Sequence, residues 1–131
     1  MKHLRIFFFS ILVINSFSCA TPREASDSTK LVHKANSLVE RLIKEDFSAV
    51  ETDFGVTMKT GLPPSKLQDA WKDLLTRVGA FKKVLTVKRG ELQQYDVVFV
   101  LCEFERAKIQ VQVVFDDGGQ VAGLYFLTAD H

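Results

Sequence analysis

The residues of this sequence with the clearest potential for chemistry are carboxylates and tyrosines placed beside strongly apolar neighbours. A carboxylate that enters an apolar pocket has a shifted pKa, and Asp53 or Glu103 in that setting would be a general base for hydrolysis or isomerisation. Both carboxylates have a plainer interpretation as solvent-facing residues, and Trp71 is more simply explained by a hydrophobic core than by a ligand cavity. The predicted ligand pocket consists of Asp53, Phe54, Trp71, Tyr95, Glu103 and Tyr125.

Signatures of metal, phosphate and nucleophilic chemistry are missing from the sequence. His3, His33 and His131 are widely separated, and no Gly-x-Ser-x-Gly elbow or glycine-rich phosphate loop occurs. Cys102 lies in an apolar stretch, which is typical of a small buried hydrophobe rather than an activated nucleophile. The pair Asp116-Asp117 precedes two glycines and is explained by a turn better than by a calcium site. We therefore predict no catalytic residues, no metal site and no cofactor.

The N-terminus has the three parts of an export signal. A positive start at residues 1–5 precedes an apolar run at 6–14 and a small-residue stretch at 16–20. Because the apolar run is shorter than the roughly 20 residues that cross a bilayer, we expect export rather than a permanent membrane span. The predicted organisation is a signal segment at 1–19, a flexible tether at 20–30 and a single domain at 31–128.

Two cleavage sites compete at the end of this leader. Cleavage after Ser18-Cys19-Ala20 by ordinary signal peptidase would release a soluble periplasmic or secreted protein. Phe17-Ser18-Cys19 instead resembles a bacterial lipoprotein box, although Ser16 stands where such boxes usually carry leucine. We favour the second site, which predicts a cell-envelope protein anchored to the membrane by a lipid on Cys19.

Composition excludes two further classes of protein. Seventeen basic and sixteen acidic residues give a net charge of +1 without a basic stripe, so the sequence does not favour nucleic-acid binding. With only two cysteines, one of them in the leader, the exported domain has no disulfide framework. Its stability must come from packing.

The first half of the domain is predicted to be helical. Apolar residues recur at steps of three and four from Leu31 to Ile43, which indicates an amphipathic helix. A second helix is predicted from the Ser48 and Glu51 capping-box spacing, with Val50, Phe54 and Met58 on one face. After the break at Gly61-Leu62-Pro63-Pro64, a third helix is predicted to begin with a capping box at Ser65 and Gln68 and to end at Gly79.

The second half is predicted to be a meander of antiparallel strands. The predicted strands are Phe81 to Lys88, Tyr95 to Phe104, Ile109 to Phe115 and Gln120 to Leu127, with turns at Arg89-Gly90-Glu91, Glu105-Arg106 and Asp116 to Gly119. The fold class that follows is α+β, with about three N-terminal helices packed on a curved four-stranded antiparallel sheet.

The second strand is apolar on both sides, which predicts that both faces of the sheet are covered. We assign Val98, Val100, Cys102 and Phe104 to the outer side, away from the helices. A second copy of the chain would cover this side, so the sequence predicts a homodimer through the outer face of the sheet.

The order and spacing of several short motifs resemble a known family over about residues 31 to 128. These motifs include Asp46-Phe47, Asp53-Phe54, Leu62-Pro63, Trp71, Gly79-Ala80-Phe81, Cys102-Glu103-Phe104 and Gly123-Leu124-Tyr125-Phe126. The family is domain of unknown function 3887, which is similar to the nuclear transport factor 2-like fold. The resemblance implies a cone of helices over a strongly bent sheet, often with a cavity between them, in small exported proteins or lipoproteins. Members also occur ahead of serine hydrolase domains, and no catalytic residues are implied for this chain.

Two functions of different classes follow from these observations. The first is a non-enzymatic envelope module that binds a protein partner or a small apolar ligand, through a cavity or the outer face of the sheet. The alternative is a small hydrolase or isomerase with Asp53 or Glu103 as its general base. A buried carboxylate close to a pocket tyrosine would favour the alternative.

Overall fold

The computed structural model describes residues 29–129, which form helices followed by one antiparallel sheet. The α+β class predicted from the sequence is confirmed, with four helices in the described residues where about three were predicted. The described part of α1 covers residues 29–43. The remaining elements are α2 (Phe47–Glu51), α3 (Val56–Gly61), α4 (Pro64–Val78), β1 (Phe81–Leu92), β2 (Tyr95–Phe104), β3 (Lys108–Phe115) and β4 (Val121–Ala129). The predicted leader and most of the predicted tether lie outside the described residues.

Helix α1 buries the apolar stripe that its sequence predicts. Ala35, Leu38 and Leu42 are fully buried in the core. The helix ends in a turn at Glu45, whose φ of 61° places it in the left-handed region. The amide of Asp46 donates to the carbonyl of Arg41 at 2.9 Å, so the last turn is closed by a backbone hydrogen bond of the Schellman type.

The second predicted helix is two short helices. The N-cap of α2 is Asp46, whose carboxylate accepts a hydrogen bond from the amide of Ala49 at 3.4 Å, so the prediction of a cap at Ser48 was wrong. The helical path then breaks at Phe54, which forms an isolated parallel bridge to Val121. Pairing with the sheet thus overrides the helical spacing of the apolar residues.

Helix α4 begins at a proline rather than at a serine cap. Pro64 occupies its first turn, where the missing amide hydrogen costs nothing, and the predicted capping box at Ser65 and Gln68 is not used. The predicted end is confirmed, because Gly79 caps the helix with a φ of 87°.

The four strands form a meander in the order β1-β2-β3-β4, with every neighbouring pair antiparallel. β1 is longer than predicted, since it continues through Arg89-Gly90-Glu91 to Leu92, and the turn lies at Gln93-Gln94. Gln93 has a φ of 61°, which suits the first position of a two-residue hairpin. The predicted turn at Glu105-Arg106 and the turn after Asp116 are in the predicted places.

The two sides of β2 are the reverse of the prediction. Val98, Val100, Cys102 and Phe104 belong to the hydrophobic core beneath the helices. The outer side of β2 instead carries Val97, Phe99, Leu101 and Glu103, because side chains alternate along a strand.

Candidate functional site

The six residues of the predicted pocket do not converge on one cavity. Phe54 and Trp71 are core residues, and Trp71 is only 2% exposed. The indole of Trp71 packs edge-on against the ring of Phe104, with centroids 6.0 Å apart, and against Phe126 at 5.9 Å. These two residues therefore help to fill the core between α4 and the sheet.

Asp53 is held by an arginine rather than presented to a ligand. Its Oδ2 lies 3.1 Å from Nη1 of Arg41, which also donates to the carbonyl of Ala49 at 3.2 Å. The backbone carbonyl of Asp53 accepts a hydrogen bond from the amide of Val121 at 2.8 Å. The carboxylate thus ties the segment between α2 and α3 to α1, and the backbone of the same residue ties that segment to the edge of the sheet.

Tyr95 and Glu103 lie at opposite ends of β2, on the outer face. Eight residues of extended strand separate them by about 27 Å, too far for both to contact one small ligand. Glu103 is half-buried and stands in register between Lys83 on β1 and Lys108 on β3, an arrangement of opposite charges that stabilises a sheet. Among residues 29–129, no charged or polar residue is buried.

Cys102 is the buried thiol within the part of the chain that the structure describes. Burial raises the pKa of this thiol to about 11. Its Sγ lies 3.8 Å from the carbonyl of Val100, inside the core. At neutral pH the group is therefore a protonated apolar side chain and not a nucleophile.

Two aromatic rings on the outer face each lie over a glycine of the sheet. The ring of Phe99 on β2 lies over Gly90 on β1, and the ring of Tyr125 lies over Gly123 on the same strand, β4. A Cβ on Gly90 would lie 2.9 Å from Cε2 of Phe99, and a Cβ on Gly123 would lie 3.1 Å from Cε2 of Tyr125. Each ring thus packs directly over a glycine, where a Cβ would crowd it. The two rings are thereby held down on the sheet.

The residues that lie between the two rings on the sheet are uncharged. We define the outer-face patch as Phe99, Leu101, Gln110, Gln112, Tyr125 and Leu127, which occupy two neighbouring rows across β2, β3 and β4. Tyr125 is 51% exposed and Leu127 is 44% exposed. Charged residues stand at its margins, with Lys88 across from Phe99 on β1 and the Glu103 and Lys108 pair in the next row. The patch thus has apolar and aromatic side chains on β2 and β4, two uncharged amides between them on β3, and charged residues at its border.

Each edge of the sheet is irregular or covered near the start of its strand. β1 has register shifts between Phe81 and Lys83 and between Val84 and Thr86, and such irregularities twist an edge away from further pairing. On β4, Val121 exchanges hydrogen bonds with the backbone of Asp53 and Gly55. These features disfavour the addition of a further strand at those parts of the two edges.

A groove of about 260 Å³ lies on the other side of the sheet, under the C-terminal half of α4. Leu74, Val78, Ile109 and Phe126 give it an apolar wall. Two further concavities, of about 410 and 430 Å³, lie at the ends of the sheet and have more polar linings. One contains Glu103 and the other contains Tyr95, so these two residues of the predicted pocket lie in different concavities.

The glycines that admit the two aromatic rings are the functional feature that sequence reasoning missed. Gly90 was assigned to a turn, although strand-forming residues surround it. A glycine within an alternating strand pattern signals that a side chain or backbone approaches closely, and this signal occurs at both Gly90 and Gly123.

Residues 29–129 offer no group of three or more histidine, cysteine, aspartate or glutamate side chains that could hold a metal ion. In the same range, no helix is both long enough and apolar enough to cross a membrane.

Comparison with known proteins gives one family and one distant relative. The model of the family described as "Protein of unknown function (DUF3887)" matches residues 35–124. Esterase EstD of Thermotoga maritima is 25% identical over 91 residues, which is 70% of this chain and 22% of the esterase. The chain thus spans less than a quarter of the length of that relative. No solved structure matches the chain.

Proposed function

This chain belongs to the DUF3887 family of proteins of unknown function, and from that premise we propose that it is a non-enzymatic binding module of the bacterial cell envelope. Its outer-face patch binds a protein partner, and the partner is a second copy of the chain. The observation that carries this proposal is the exposed, pre-positioned ring of Tyr125 on Gly123. A tyrosine already held in place loses little conformational entropy on binding, and tyrosine is among the residues that most often anchor interfaces.

The chemistry of the patch suits an identical partner. Its central side chains are apolar or are the amides of Gln110 and Gln112, which both donate and accept hydrogen bonds. A twofold dimer brings the same patch against itself, so a charged centre would repel its own copy. Here the charges of Lys88, Glu103 and Lys108 stay at the margin, where solvent screens them.

The Tyr125→Lys variant is expected to be monomeric at concentrations where the wild-type chain is dimeric. Removing an interface anchor worth about 2 kcal/mol and burying a charge in its place weakens the dimer roughly 30-fold or more. Sedimentation equilibrium measures the dissociation constants of both proteins.

The matched control is Val56→Lys, which adds the same charge at a side chain that is 80% exposed on α3, outside the patch. This control is expected to dimerise like the wild-type chain. Circular dichroism verifies that both variants are folded. Equal dissociation constants for a folded Tyr125→Lys variant and the wild-type chain would refute the proposed interface.

The finer fold that we propose is the nuclear transport factor 2-like cone. Support comes from the order of elements, with the helices preceding the strands, and from a core that lies on one side of a four-stranded antiparallel meander. The register shifts in β1 and near the start of β4 add local twist of the kind that bends such a sheet.

Export and lipid anchoring complete the proposed function. The sequence of residues 1–19 supports a cleaved signal, and Cys19 would carry the lipid that holds the domain at the membrane. In a bacterial host, the Cys19→Ser variant is expected to move from the membrane fraction to the soluble periplasmic or secreted fraction. Cys102→Ser is the matched control and keeps the membrane location. A Cys19→Ser protein that still fractionates with the membrane would contradict anchoring through this residue.

The hydrolase or isomerase alternative draws support from the similarity to an esterase, but the geometry does not favour it. Asp53 is paired with Arg41, and Glu103 lies on the outer face between two lysines in the sheet register. Neither carboxylate among the described residues is buried in an apolar pocket. The alternative therefore lacks the shifted general base that it requires.

A further inference from the structure

The groove under α4 exists because short side chains face each other across it. Ala70 and Val78 line it from the helix, and Thr128 lines it from β4. The groove is open to solvent and has a volume of about 260 Å³, with an apolar wall beneath a polar rim.

The width of the groove is fixed at one end, where the turn after β2 binds the last turn of α4. Nη2 and Nε of Arg106, in the turn after β2, donate to the carbonyls of Thr76 at 2.9 Å and Arg77 at 3.3 Å. The amide of Arg106 donates to the carbonyl of Val78 at 2.8 Å. These bonds tie the last turn of α4 to the sheet, so the helix is not free to collapse onto the space beneath it.

The charges at the rim of the groove neutralise each other. Nη2 of Arg77 lies 2.5 Å from Oδ2 of Asp73, one helical turn away. Both side chains are largely exposed, while the wall beneath them is apolar. The hydroxyl of Thr128 adds one neutral hydrogen-bonding group. A bound ion would therefore meet no net opposite charge and would lose its hydration.

We propose that this groove binds a small uncharged molecule with an apolar body, either one ring or a short alkyl chain, and a single hydroxyl group. An apolar cavity of roughly 150 Å³ accepts benzene, and this groove has room for a somewhat larger body. The hydroxyl of the ligand meets Thr128 and the Asp73–Arg77 pair at the rim. This site lies on the helix side of the sheet and does not depend on the outer-face dimer.

The test uses 1-heptanol and heptanoate, which share an alkyl chain length and differ in charge. Trp71 is the one tryptophan of the chain, and it contacts Phe126 in the groove wall, so its fluorescence reports occupancy. In the full-length protein, heptanol is expected to change the emission saturably and to raise the melting temperature. Heptanoate is expected to bind at least about tenfold more weakly, because its charge is desolvated without a free partner.

Two leucine substitutions on α4 localise the binding. Ala70→Leu fills the groove and is expected to weaken heptanol binding about tenfold or more, whereas Lys72→Leu adds the same side chain at an exposed position away from it and changes binding less than about twofold. If Ala70→Leu does not fold, methyl NMR of the wild-type protein gives the same information. Heptanol must then shift the signals of Leu74, Val78 and Ile109 more than those of methyls elsewhere.

Any one of three results would refute the proposed ligand site. These are no saturable response to heptanol, heptanol binding to folded Ala70→Leu as tight as to the wild-type protein, or heptanoate binding as tight as heptanol binding. The titration is repeated with the Tyr125→Lys variant, which separates this inference from the dimer. If Tyr125→Lys still binds heptanol, the ligand site is supported whether this variant is a monomer or a dimer.

Discussion

The Gly79→Ala variant is expected to lose roughly 3 kcal/mol of unfolding free energy, a large fraction of the total for a domain of this size. Gly79 ends α4 with φ 87° and ψ −169°, a region that is essentially restricted to glycine. A Cβ at this position would lie 2.7 Å from both Cβ and Oε1 of Glu105. The substitution therefore adds backbone strain and a steric clash at one point.

The clash also disrupts the link between helix and sheet. Oε1 of Glu105 accepts a hydrogen bond from the amide of Ala80 at 2.8 Å, and the amide of Glu105 donates to the carbonyl of Ala80 at 3.0 Å. Moving Glu105 away from a new methyl group weakens both bonds and displaces the neighbouring Arg106, which holds the end of α4. Urea unfolding followed by circular dichroism measures the loss.

Gly61→Ala is the matched control for this prediction. Gly61 is the last residue of α3, and a Cβ there meets nothing within 4 Å. Alanine at this position is expected to be neutral or to stabilise by up to about 1 kcal/mol. If Gly79→Ala cost no more than Gly61→Ala, the close approach of Glu105 would not be a constraint on the fold. Adding Glu105→Gly to Gly79→Ala is expected to recover part of the loss, because it removes the clashing side chain.

Sequence analysis predicted well the elements whose apolar residues recur at a regular spacing and whose end is marked by a residue such as glycine. Helix α1 and helix α4 bury the predicted stripes, and Gly79 ends α4 as predicted. β3 alternates between buried and wet positions, and β2 has the predicted bounds. In these segments local propensity and tertiary packing agree, so the sequence pattern predicts the element that forms.

The sides of β2 were assigned wrongly because the sequence of a strand that is apolar on both sides does not show which side faces the core. The neighbouring strand does carry one. Val111 faces the core in the alternating strand β3 and stands in register with Val100. Since paired residues of neighbouring strands share a face, the pairing would have placed Val100 and the residues two apart from it in the core. The information was present in the sequence, but it required the register of the hairpin.

The six residues of the predicted pocket are dispersed in the fold for a different reason. Aspartate, glutamate and tyrosine near apolar residues are expected both at active sites and at the ends of strands. Only the fold distinguishes these cases, because it places Tyr95 and Glu103 at opposite ends of one strand. Similarly, Asp53 pairs with Arg41 from the segment between α2 and α3, where the neighbouring Phe54 bridges to Val121.

The second large expected effect is that of substituting Trp71. The effect distinguishes Trp71 as a core residue from Trp71 as part of a ligand cavity. Trp71→Ala is expected to destabilise the domain by about 4 kcal/mol, because it removes a buried indole that supports the rings of Phe104 and Phe126. Trp71→Phe keeps part of this packing and is expected to cost less than half as much. Urea unfolding followed by far-ultraviolet circular dichroism measures both, since the variants lack tryptophan fluorescence.

The loss of unfolding free energy in Trp71→Ala distinguishes a core residue from a residue that covers a ligand pocket. If Trp71 were the lid of an open pocket, its removal would change ligand binding while costing less than about 1 kcal/mol of unfolding free energy. If it is core, as its 2% exposure indicates, the unfolding free energy falls by several times that amount. The groove then depends on Trp71 only through Phe126, whose ring forms the wall that a ligand touches. A small loss on Trp71→Ala would contradict this arrangement, because a supporting residue cannot be removed from a close-packed wall without leaving a cavity behind it.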